Sequence, residues 1–324
     1  MALESYFLVG GAGFIGSHFV DRLLAYPDCV RVTVYDNMSS GRDWHFVQHG
    51  RDRRFAFVRG DAKELSTLAG AMSGHETVIH LASNPDIAKA QMQPDIDFYE
   101  GTLLTQQVVE SMRLTGAKMI LYASGSGVYG DLGTTEACEH DSIGMPISTY
   151  GASKLAGEAL ISSYCSMFGL RGRAFRFGNV VGSRQTHGVG FDFIRRLMVE
   201  SSKLDILGDG RQSKSYIHVD DVINAVLVAH RSLGPAYDVY NVATGDYITV
   251  TEIAELAVEC LGLDRGNVEF CYGGGDRGWK GDVPVVRLST ARICGLGWRC
   301  GRSSRQALRA AMTAMIDDFR SNRM

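Results

Sequence analysis

Short apolar runs alternate with amphipathic segments along the first half of the chain. In Ile15–Ala25 and Leu104–Thr115, apolar residues recur at helical spacing. The apolar runs around these two segments are rich in β-branched and aromatic residues, which predicts buried strands. The predicted strands are Tyr6–Val9, Arg31–Tyr35, Phe55–Arg59, Thr77–Leu81, Met119–Ser124, Gly172–Phe177 and Val239–Val242. This alternation predicts an α/β fold, a doubly wound parallel sheet with helices on both faces.

The last third of the chain has a different pattern. A glycine-rich stretch leads into a predicted helix, Phe191–Val199, and a short strand, Leu204–Leu207. A polar loop containing Gly273-Gly274-Gly275 then precedes a terminal helix. We predict that these segments form a smaller C-terminal lobe over the carboxyl ends of the strands. The expected division is residues 1–182, with sheet strands also contributed by about 216–246, against residues 183–215 and 247–324.

Composition narrows the classes of partner. The chain has 324 residues, 45% of them hydrophobic, and a formal net charge of −3. This near-neutral charge does not indicate nucleic acid or an anionic membrane as a partner. The longest apolar runs are far shorter than the ~20 residues that span a bilayer. The first residues also lack the basic and apolar regions of a secretory signal. We therefore expect a cytoplasmic protein.

The cysteines are spread along the chain and form no CxxC pair. Their number is odd, so neither a zinc site nor a disulfide framework is indicated. We expect reduced thiols that pack as small hydrophobic side chains, and no bound metal. The seven positions are Cys29, Cys138, Cys165, Cys260, Cys271, Cys294 and Cys300.

A glycine motif, Gly10-Gly11-Ala12-Gly13-Phe14-Ile15-Gly16, follows the first strand and opens the first helix. Gly10 suits a tight turn, Gly13 lets the backbone approach a pyrophosphate, and Gly16 lets helix and strand pack closely. The helix N-terminus offers N–H groups to phosphates. Asp36 ends the second strand about 20 residues further on, as in a dinucleotide fingerprint. The alternative is a glycine turn with a surface aspartate. The full context favours a Rossmann-type domain.

Asp36 also points to the cofactor. A carboxylate at this position accepts hydrogen bonds from a ribose diol and repels a 2′-phosphate, which favours NAD over NADP. Asp61, after the third strand, either contacts the adenine or caps a helix, and His80 is expected to be structural. With Phe14 and Ile15, the further predicted cofactor-binding residues are Asn37, Ser39, Ser40, Gly41, Asp61, Ala62, Leu81, Ala82 and Ser83.

Tyr150 and Lys154 are the candidate reacting pair. Four residues apart, they lie on one face of a helix. A phenol with a pKa near ~10 is a poor base at neutral pH. A nearby lysine and the positive nicotinamide ring favour phenolate, so Tyr150 could take the proton of a hydroxyl. Lys154 would also hold the nicotinamide ribose. The alternative is an ordinary exposed helix face, and the preceding dinucleotide fingerprint favours the functional interpretation.

Several ordered motifs resemble one family over nearly the whole chain. After the glycine motif, Ser17-His18 and Asp36-Asn37 are followed by Val128-Tyr129-Gly130, Tyr150–Lys154, Asn179 and Ile217-His218-Val219-Asp220-Asp221-Val222. Together they resemble the extended short-chain dehydrogenase/reductases, most closely the nucleotide-sugar epimerases such as the UDP-glucose 4-epimerases. The resemblance implies oxidation of a sugar at C4, rotation of the 4-keto sugar, and return of hydride to the other face.

The resemblance also implies a UDP-sugar site. Lys214 and Trp279 occupy positions where the family usually has arginine, so the phosphate clamp is altered. Arg211 or Arg277 could compensate for the lost bidentate contact. The predicted substrate-binding residues are Asn84, Ser126, Tyr150, Asn179, Arg184, Lys214, Trp279 and Asp282. A homodimer is expected as well, formed through Leu104–Thr115 and Ser153–Phe168.

The chain departs from the family pattern at Gly125. The family supplies a serine or threonine here that relays the proton to the tyrosine. Ser124 and Ser126 flank the position, although successive side chains of a strand point to opposite faces. We predict that Ser126 replaces the hydroxyl, with Ser124 as the other candidate. The alternative is that Tyr150 contacts the sugar hydroxyl directly.

The same segment ranks the possible reactions. Dehydratases of the family carry an Asp-Glu pair where this chain has Ser126 and Gly127, and UDP-glucuronate decarboxylases place a glutamate at the Gly127 position. Epimerisation therefore leads, with decarboxylation or dehydration as the alternative. A non-catalytic NAD-binding sensor is a third hypothesis that the fold permits.

Overall fold

The computed structural model describes residues 3–141, 145–279 and 281–321. Its contacts divide the chain into two compact units. The first unit is Met1–Val128, Ser148–Arg176 and Val226–Tyr240. The second unit is Tyr129–Ile147, Phe177–Ala225 and Asn241–Met324.

Strands and helices alternate along the described residues. The strands are β1 Glu4–Val9, β2 Cys29–Asp36, β3 Phe55–Arg59, β4 Thr77–His80, β5 Met119–Gly125, β6 Arg171–Phe177, β7 Asn179–Val181, β8 Lys203–Ile206, β9 Ser213–Lys214, β10 Tyr216–His218, β11 Tyr237–Val242, β12 Ile248–Thr249 and β13 Glu269–Tyr272. The α-helices are α1 Phe14–Leu24, α2 Leu65–Met72, α3 Leu104–Thr115, α4 Thr149–Phe168, α5 Val189–Val199, α6 Val219–Arg231, α7 Val250–Cys260, α8 Ala291–Gly295 and α9 Ser304–Arg320.

A seven-stranded sheet carries the first unit, in the order β11-β6-β5-β4-β1-β2-β3. β1 pairs in parallel with both β2 and β4, while β2 pairs in parallel with β3 and β4 with β5. Strand order therefore reverses between β1 and β4. In such sheets the ligand crevice lies at this point, outside the carboxyl ends of the strands. The predicted α/β fold with a doubly wound parallel sheet is confirmed, and each predicted strand lies within two residues of an observed one.

Helices cover the sheet because their apolar faces pack on it. In the first unit, α2, α3 and α4 contribute buried side chains to one core with β1, β4 and β5. That core includes Phe7, Leu68, Val108, Ile120 and Ile161. Burial of these side chains holds β1 and β4 in place, and the strand order reverses between the carboxyl ends of these two strands.

The second unit has its own core. Helices α5, α7 and α9 pack together with β8, and Phe193, Leu256 and Met312 lie at the centre of the cluster. β8 pairs in parallel with β13, and β9 pairs antiparallel with β12. The predicted helix and strand at 191–199 and 204–207 correspond to α5 and β8, each within two residues.

Residues 129–147 lie in the second unit, although the sequence placed them with the sheet domain. The Ala137 N–H donates to the Arg287 carbonyl at 2.9 Å, and the Ser289 N–H donates to the Ala137 carbonyl at 3.0 Å. The Glu139 carboxylate accepts the Asn241 N–H at 2.7 Å. These long-range bonds join the segment to residues far along the chain, which sequence adjacency does not indicate.

All seven cysteines are among the described residues and are free thiols, with Cys29 and Cys165 buried. Among the described helices, none combines the length and the apolar character that crossing a membrane requires.

Candidate active site

The turn after β1 forms a close-packed glycine cradle. Gly10 has a φ of +79°, and a Cβ on it would lie 2.6 Å from the Ala82 backbone nitrogen. A Cβ on Gly16 would lie 2.5 Å from the Cα of Gly11, so helix and turn touch through bare backbone. Gly13 differs, because its Cβ would meet only the Gly10 carbonyl oxygen, at 3.5 Å. Two glycines thus serve packing, while Gly13 leaves an open surface at the helix start.

The start of α1 fits an anionic ligand. Gly13 is the N-cap residue and makes no side-chain capping bond. The first intrahelical bond of this turn is from the Ser17 N–H to the Gly13 carbonyl, at 3.0 Å. The N–H groups of Phe14, Ile15 and Gly16 therefore precede the hydrogen-bond ladder, where a helix binds phosphate.

Asp36 ends β2 beside this turn. One carboxylate oxygen accepts the Ala12 N–H at 3.0 Å, and the other accepts the Met38 N–H at 2.8 Å. Burial raises the pKa of Asp36, and the two backbone bonds oppose that shift. The carboxylate is thus fixed in orientation, with lone pairs left for a ribose diol. Gly41 lies against this carboxylate, because a Cβ on Gly41 would lie 3.2 Å from the Asp36 Oδ1 and 2.8 Å from the Ala12 Cβ.

The other predicted cofactor residues lie around the ends of β2, β3 and β4. Asn37 accepts the Ser39 N–H at 3.0 Å, and Ser40 precedes the close-packed Gly41. The Asp61 carboxylate accepts the Lys63 N–H at 2.9 Å, so Asp61 caps a turn. The neighbouring Ala62 is buried.

The end of β4 is held against the glycine turn. The Leu81 and Ala82 N–H groups both donate to the Val9 carbonyl, at 2.9 and 3.0 Å. His80 is buried and lies 3.1 Å from the Thr105 hydroxyl. Burial lowers the pKa of His80 to about 3, so its ring is neutral at physiological pH. These bonds fix where Ser83 and Asn84 emerge beyond the strand.

Tyr150 and Lys154 lie in the first turns of α4. Ser148 caps this helix by accepting the Gly151 N–H at 3.1 Å. Lys154 is only 3% exposed, and its ammonium donates to the Ala123 carbonyl on β5 at 2.8 Å. The same ammonium lies 5.2 Å from the ring centre of Tyr122 and 5.4 Å from that of Tyr150. Lys154 therefore holds this part of α4 against the carboxyl end of β5.

Burial dominates the electrostatics of this pair in the protein alone. Burial raises the pKa of Tyr150, with a smaller contribution from Asp97, and a hydrogen bond from Ser83 opposes the rise. Burial lowers the pKa of Lys154 to about 8. The lysine contacts the ring face of Tyr150 and a backbone carbonyl, so the protein alone does not lower the pKa of the phenol. A bound NAD⁺, whose nicotinamide ring is positive, would favour the phenolate.

Gly125 faces Tyr150, as the position of the missing hydroxyl requires. A Cβ on Gly125 would lie 4.0 Å from the Tyr150 ring, an ordinary contact. The Ser124 hydroxyl instead donates to the buried Glu158 at 2.5 Å, so the structure does not bring Ser124 to the phenol. Ser126 leaves the strand and begins a short 3-10 helix that ends at Tyr129.

A buried polar chain that the sequence did not indicate lies beside the reacting pair. Asp97 is 2% exposed and accepts the Asn84 amide at 2.9 Å and the Thr149 hydroxyl at 2.6 Å. A π-helical turn, Phe98–Leu103, follows it directly, and such turns often occur at functional sites. The local pattern does not distinguish Asp97 from the neighbouring Asp95 and Glu100, because its partners are brought together by the fold.

A second cluster of predicted substrate-binding residues lies within the second unit. Lys214 and Asp282 form an ion pair at 2.5 Å, and Asp282 is mostly buried. Arg277 donates to the Asp282 carbonyl at 2.6 Å and to the Asp131 carboxylate at 2.7 Å. The Trp279 carbonyl accepts the Asp282 N–H at 3.1 Å. The structure thus brings Lys214, Arg277, Trp279 and Asp282 together.

Asn179 is joined to this cluster through the residue that follows Lys214. Its backbone N–H and side-chain amide both donate to the Ser215 carbonyl, at 3.1 and 3.2 Å, one residue after Lys214. Arg184 has a φ of +64°, a left-handed conformation that is uncommon outside glycine. Arg211 is exposed, and no described contact joins it to the Lys214 cluster.

Comparison with known proteins identifies the family. The sequence model described as "NAD dependent epimerase/dehydratase family" matches residues 6–243. A putative UDP-glucose 4-epimerase of Methanocaldococcus jannaschii is 29% identical over 97% of this chain and 99% of its own length. A dTDP-glucose 4,6-dehydratase of an Actinoplanes species is 29% identical over 90% of this chain and 91% of its own length.

A solved structure agrees with these relatives. The crystal structure of a UDP-galactose 4-epimerase is 34% identical to this chain, with a TM-score of 0.85, and the match covers 97% of this chain and 99% of the other. The cradle of Gly10, Gly13 and Gly16 and the oriented carboxylate of Asp36 fit the cofactor in the family's name. The chain therefore belongs to the NAD-dependent epimerase/dehydratase family of Rossmann-type proteins.

Proposed function

We propose that the protein is a 4-epimerase of a UDP-hexose or UDP-hexuronate that works through a transient 4-keto sugar. The observation that carries this proposal is the pair at the end of β5, a buried Lys154 beside a half-buried Tyr150, within the unit that has the dinucleotide cradle. A protein that only senses NAD could use Lys154 to hold the ribose, but it has no use for the phenol of Tyr150 beside that lysine.

In the proposed reaction, Tyr150 transfers the proton and Lys154 supplies a positive charge beside it. NAD, when bound, supplies a hydride acceptor that later returns the hydride. Tyr150 takes the proton from the C4 hydroxyl and gives it back. Lys154 keeps a positive charge beside the phenol ring, which favours the phenolate form. Its ammonium, fixed by the Ala123 carbonyl, is also available to a ribose hydroxyl of the cofactor.

The distribution of carboxylates supports epimerisation over water loss. Ser126 and Gly127 occupy the positions where a dehydratase needs an acid and a base. The two buried carboxylates of the first unit near the pair already have partners. Asp97 is bonded to Asn84 and Thr149, and Glu158 is bonded to Arg176 and Ser124. Neither is available as an acid on C6 without losing those bonds.

The nucleotide part of the substrate is assigned to the second unit. Lys214, paired with Asp282, and Arg277, paired with Asp131, place two cations in one cluster. An incoming diphosphate would compete with these carboxylates for the two cations. Trp279 lies in the same segment and offers a ring face to a base, while Asn179 and Arg184 are assigned to the diphosphate.

A homodimer is part of the proposal. Exposed apolar side chains occur on and beside α3 and α4: Phe98, Tyr99, Leu114, Met167 and Phe168. An apolar surface of this kind in one region commonly marks a protein–protein interface. Sedimentation equilibrium should therefore give twice the chain mass, and Phe168→Glu should reduce it to the chain mass.

The proposal is tested by proton NMR of the purified protein with NAD and single sugar nucleotides. UDP-glucose, UDP-glucuronate and their N-acetylated relatives are each incubated, and the product is read from the anomeric and C4 signals. We expect one of them to be converted to its C4 epimer. Tyr150→Phe should abolish the conversion and leave the affinity for NAD unchanged.

Other outcomes would replace the proposal. Release of CO₂ from UDP-glucuronate would make the protein a decarboxylase, and loss of water, including from dTDP-glucose, would make it a dehydratase. Bound NAD with no conversion of any sugar nucleotide would favour the sensor. Full activity in Tyr150→Phe would contradict the catalytic assignment.

A further inference from the structure

A buried carboxylate, Asp97, connects the segment after β4 to the helix that carries Tyr150. Asp97 is 2% exposed, and each of its two oxygens accepts one hydrogen bond. One bond is from the Asn84 amide, at 2.9 Å, in the segment that follows β4. The other is from the hydroxyl of Thr149, the first residue of α4, at 2.6 Å. That distance is typical of a charge-assisted O–H···O⁻ bond, which is stronger than a bond between neutral groups.

Helix α4 does not need the Thr149 bond for its own start. Ser148 is already the N-cap residue and accepts the Gly151 N–H at 3.1 Å. The Thr149 hydroxyl instead bonds a side chain 52 positions earlier in the chain. Thr149 is itself exposed, so its contribution is this bond rather than buried apolar area. The bond therefore fixes the orientation of the first turn of α4, and Tyr150 is the next residue in that turn.

The π-helical turn that follows Asp97 also packs on α4. A Cβ on Gly101 would lie 2.7 Å from the Ser153 hydroxyl, so a bare backbone meets the helix there. The Gly101 carbonyl accepts the Thr105 hydroxyl at 2.9 Å, and that hydroxyl lies 3.1 Å from His80 at the end of β4. The π-helical turn is thus attached to β4 independently of the Asp97 carboxylate. These elements should keep their places when a bond of that carboxylate is removed.

The segment after β4 also contacts the cofactor turn. A Cβ on Gly10 would lie 2.6 Å from the Ala82 nitrogen, so the two backbones touch. Farther along α4, the Lys154 ammonium is bonded to the carboxyl end of β5, the strand that pairs with β4. The start of α4 is therefore attached on the β4 side through Asp97 and on the β5 side through Lys154. Tyr150 lies between these two attachments in the sequence of the helix.

From this arrangement we infer that Asp97 is a positioning residue for the reaction, which holds Tyr150 in register with the cofactor turn through Thr149. The inference rests on the proposed oxidation at C4. In that step the hydroxyl proton goes to the phenol while the C4 hydrogen goes to NAD, so the phenol must be placed relative to the cofactor as well as the sugar. A displacement of ~1 Å can lower such a rate about 100-fold. Asp97 takes no proton in the reaction and acts only through its neighbours.

The first test measures turnover on the sugar nucleotide that the protein converts. Thr149→Val replaces the hydroxyl with a methyl group at an exposed position, so the fold is kept. It should lower kcat roughly 10- to 100-fold, while KM and the Kd for NAD change less than about threefold. Thr149→Ser keeps a hydroxyl and should restore kcat to within about threefold of the unchanged protein. Thr313→Val, at an exposed threonine of α9 whose hydroxyl bonds a backbone carbonyl, is the matched control for unchanged kcat.

The second test changes the other end of the bond. Asp97→Asn keeps the shape of the side chain, but its amide has only one oxygen and cannot accept both bonds. It should lower kcat at least as much as Thr149→Val does. The double variant should lose no more kcat than Asp97→Asn alone, because both substitutions break the same bond. Urea unfolding gives the folded fraction of each variant, so that kcat is expressed per folded protein.

A crystal structure of Thr149→Val with NAD bound tests the geometry without substrate. The Tyr150 hydroxyl should be displaced by ~1 Å relative to β4, or occupy more than one position, compared with the unchanged protein in the same crystal form. The Thr313→Val structure should show it in place.

Several results would overturn the inference while the proposed function stands. One is full kcat in both Thr149→Val and Asp97→Asn, with Tyr150→Phe inactive. A raised KM at unchanged kcat in Thr149→Val would make Thr149 a substrate contact. Lower stability with unchanged kcat per folded protein would make the Asp97 bonds structural only. Additive losses in the double variant, or an unmoved phenol in the crystal, would also contradict the inference. Full activity in Tyr150→Phe would instead refute the proposed function.

Discussion

Lys154 should destabilise the folded protein, so replacing it should raise stability while ending activity. Its pKa falls from an ordinary value of 10.5 to about 8 because the ammonium is buried, against the opposing attraction of Asp97 and Glu158. A shift of this size corresponds to roughly 3 kcal/mol at pH 7, where the folded state holds an ammonium that water solvates better. Lys154→Met keeps the apolar stem between the rings of Tyr122 and Tyr150.

The expected gain in the free energy of unfolding is smaller than roughly 3 kcal/mol, because Lys154→Met also loses the hydrogen bond to the Ala123 carbonyl, which contributes about 1 kcal/mol. We therefore expect Lys154→Met to be more stable by about 2 kcal/mol at pH 7. The sign of the pH dependence follows from the lowered pKa. Between pH 8 and 10.5 the unfolded chain binds the proton and the folded protein does not, so the stability of the unchanged protein rises with pH. The cost of burying the Lys154 charge should fall to about 1 kcal/mol near pH 9.5.

Urea unfolding followed by circular dichroism, at pH 7 and pH 9.5, measures both effects. Lys203→Met, at an exposed lysine paired with Asp205, is the control and should leave stability nearly unchanged at both pH values. The advantage of Lys154→Met should shrink as the pH rises. A variant that is less stable than the unchanged protein at pH 7, or a gain independent of pH, would refute the argument that burial of this charge is costly.

Three further substitutions test other parts of the account. Glu158→Ala leaves the buried Arg176 without this carboxylate and should lower the free energy of unfolding by about 3–5 kcal/mol in urea unfolding. The control Glu110→Ala removes a more exposed ion pair and should lower it by under ~1 kcal/mol. Equal losses of stability in the two variants would contradict the burial of the Glu158–Arg176 pair. Gly16→Ala forces a Cβ into the Gly11 backbone, so it should lower the free energy of unfolding by about 1–3 kcal/mol and weaken NAD binding in calorimetry. The control Gly70→Ala, at a position of α2 with open space, should leave stability unchanged or raise it. Unchanged stability in Gly16→Ala would refute the close packing of Gly16 on Gly11. Asp36→Ala should raise the Kd for NAD and narrow the preference over NADP, and an unchanged ratio of the two affinities would remove Asp36 from the ribose site.

Local pattern was enough to predict the sheet and the cofactor turn. The pattern of apolar residues was enough to locate β1 to β6, because buried strands appear as short apolar runs, whereas amphipathic helices have apolar residues every three or four positions. The role of Gly16 was also readable, since it is confined by Gly11 in the same turn, whereas Gly10 is confined by Ala82 at the end of β4. Tyr150 and Lys154 share a helix face, so their proximity needed no tertiary information.

The polar surroundings of the pair could not be predicted. Asp97 reaches Thr149 across 52 positions of the chain, and Ser124 reaches Glu158 across 34. The first contact depends on how α4 packs against the π-helical turn and the second on how α4 packs against β5, and no local pattern encodes either packing. The pKa of Tyr150 was expected to fall because of a nearby lysine and the positive nicotinamide ring. In the protein alone, the lysine contacts the ring of Tyr150 and burial raises the pKa of the phenol. Residues 129–147 likewise belong to the second unit through bonds made far along the chain.

The central claim is that hydride leaves and returns at one carbon of the sugar, with Tyr150 handling the proton. UDP-glucose, or whichever UDP-sugar the protein converts, carrying deuterium at C4 tests this most directly. The proposal predicts a C4 epimer that keeps its deuterium at C4 when the reaction is run in ordinary water, and no product with Tyr150→Phe. Loss of the deuterium to solvent, or an epimer formed by Tyr150→Phe at the full rate, would contradict it.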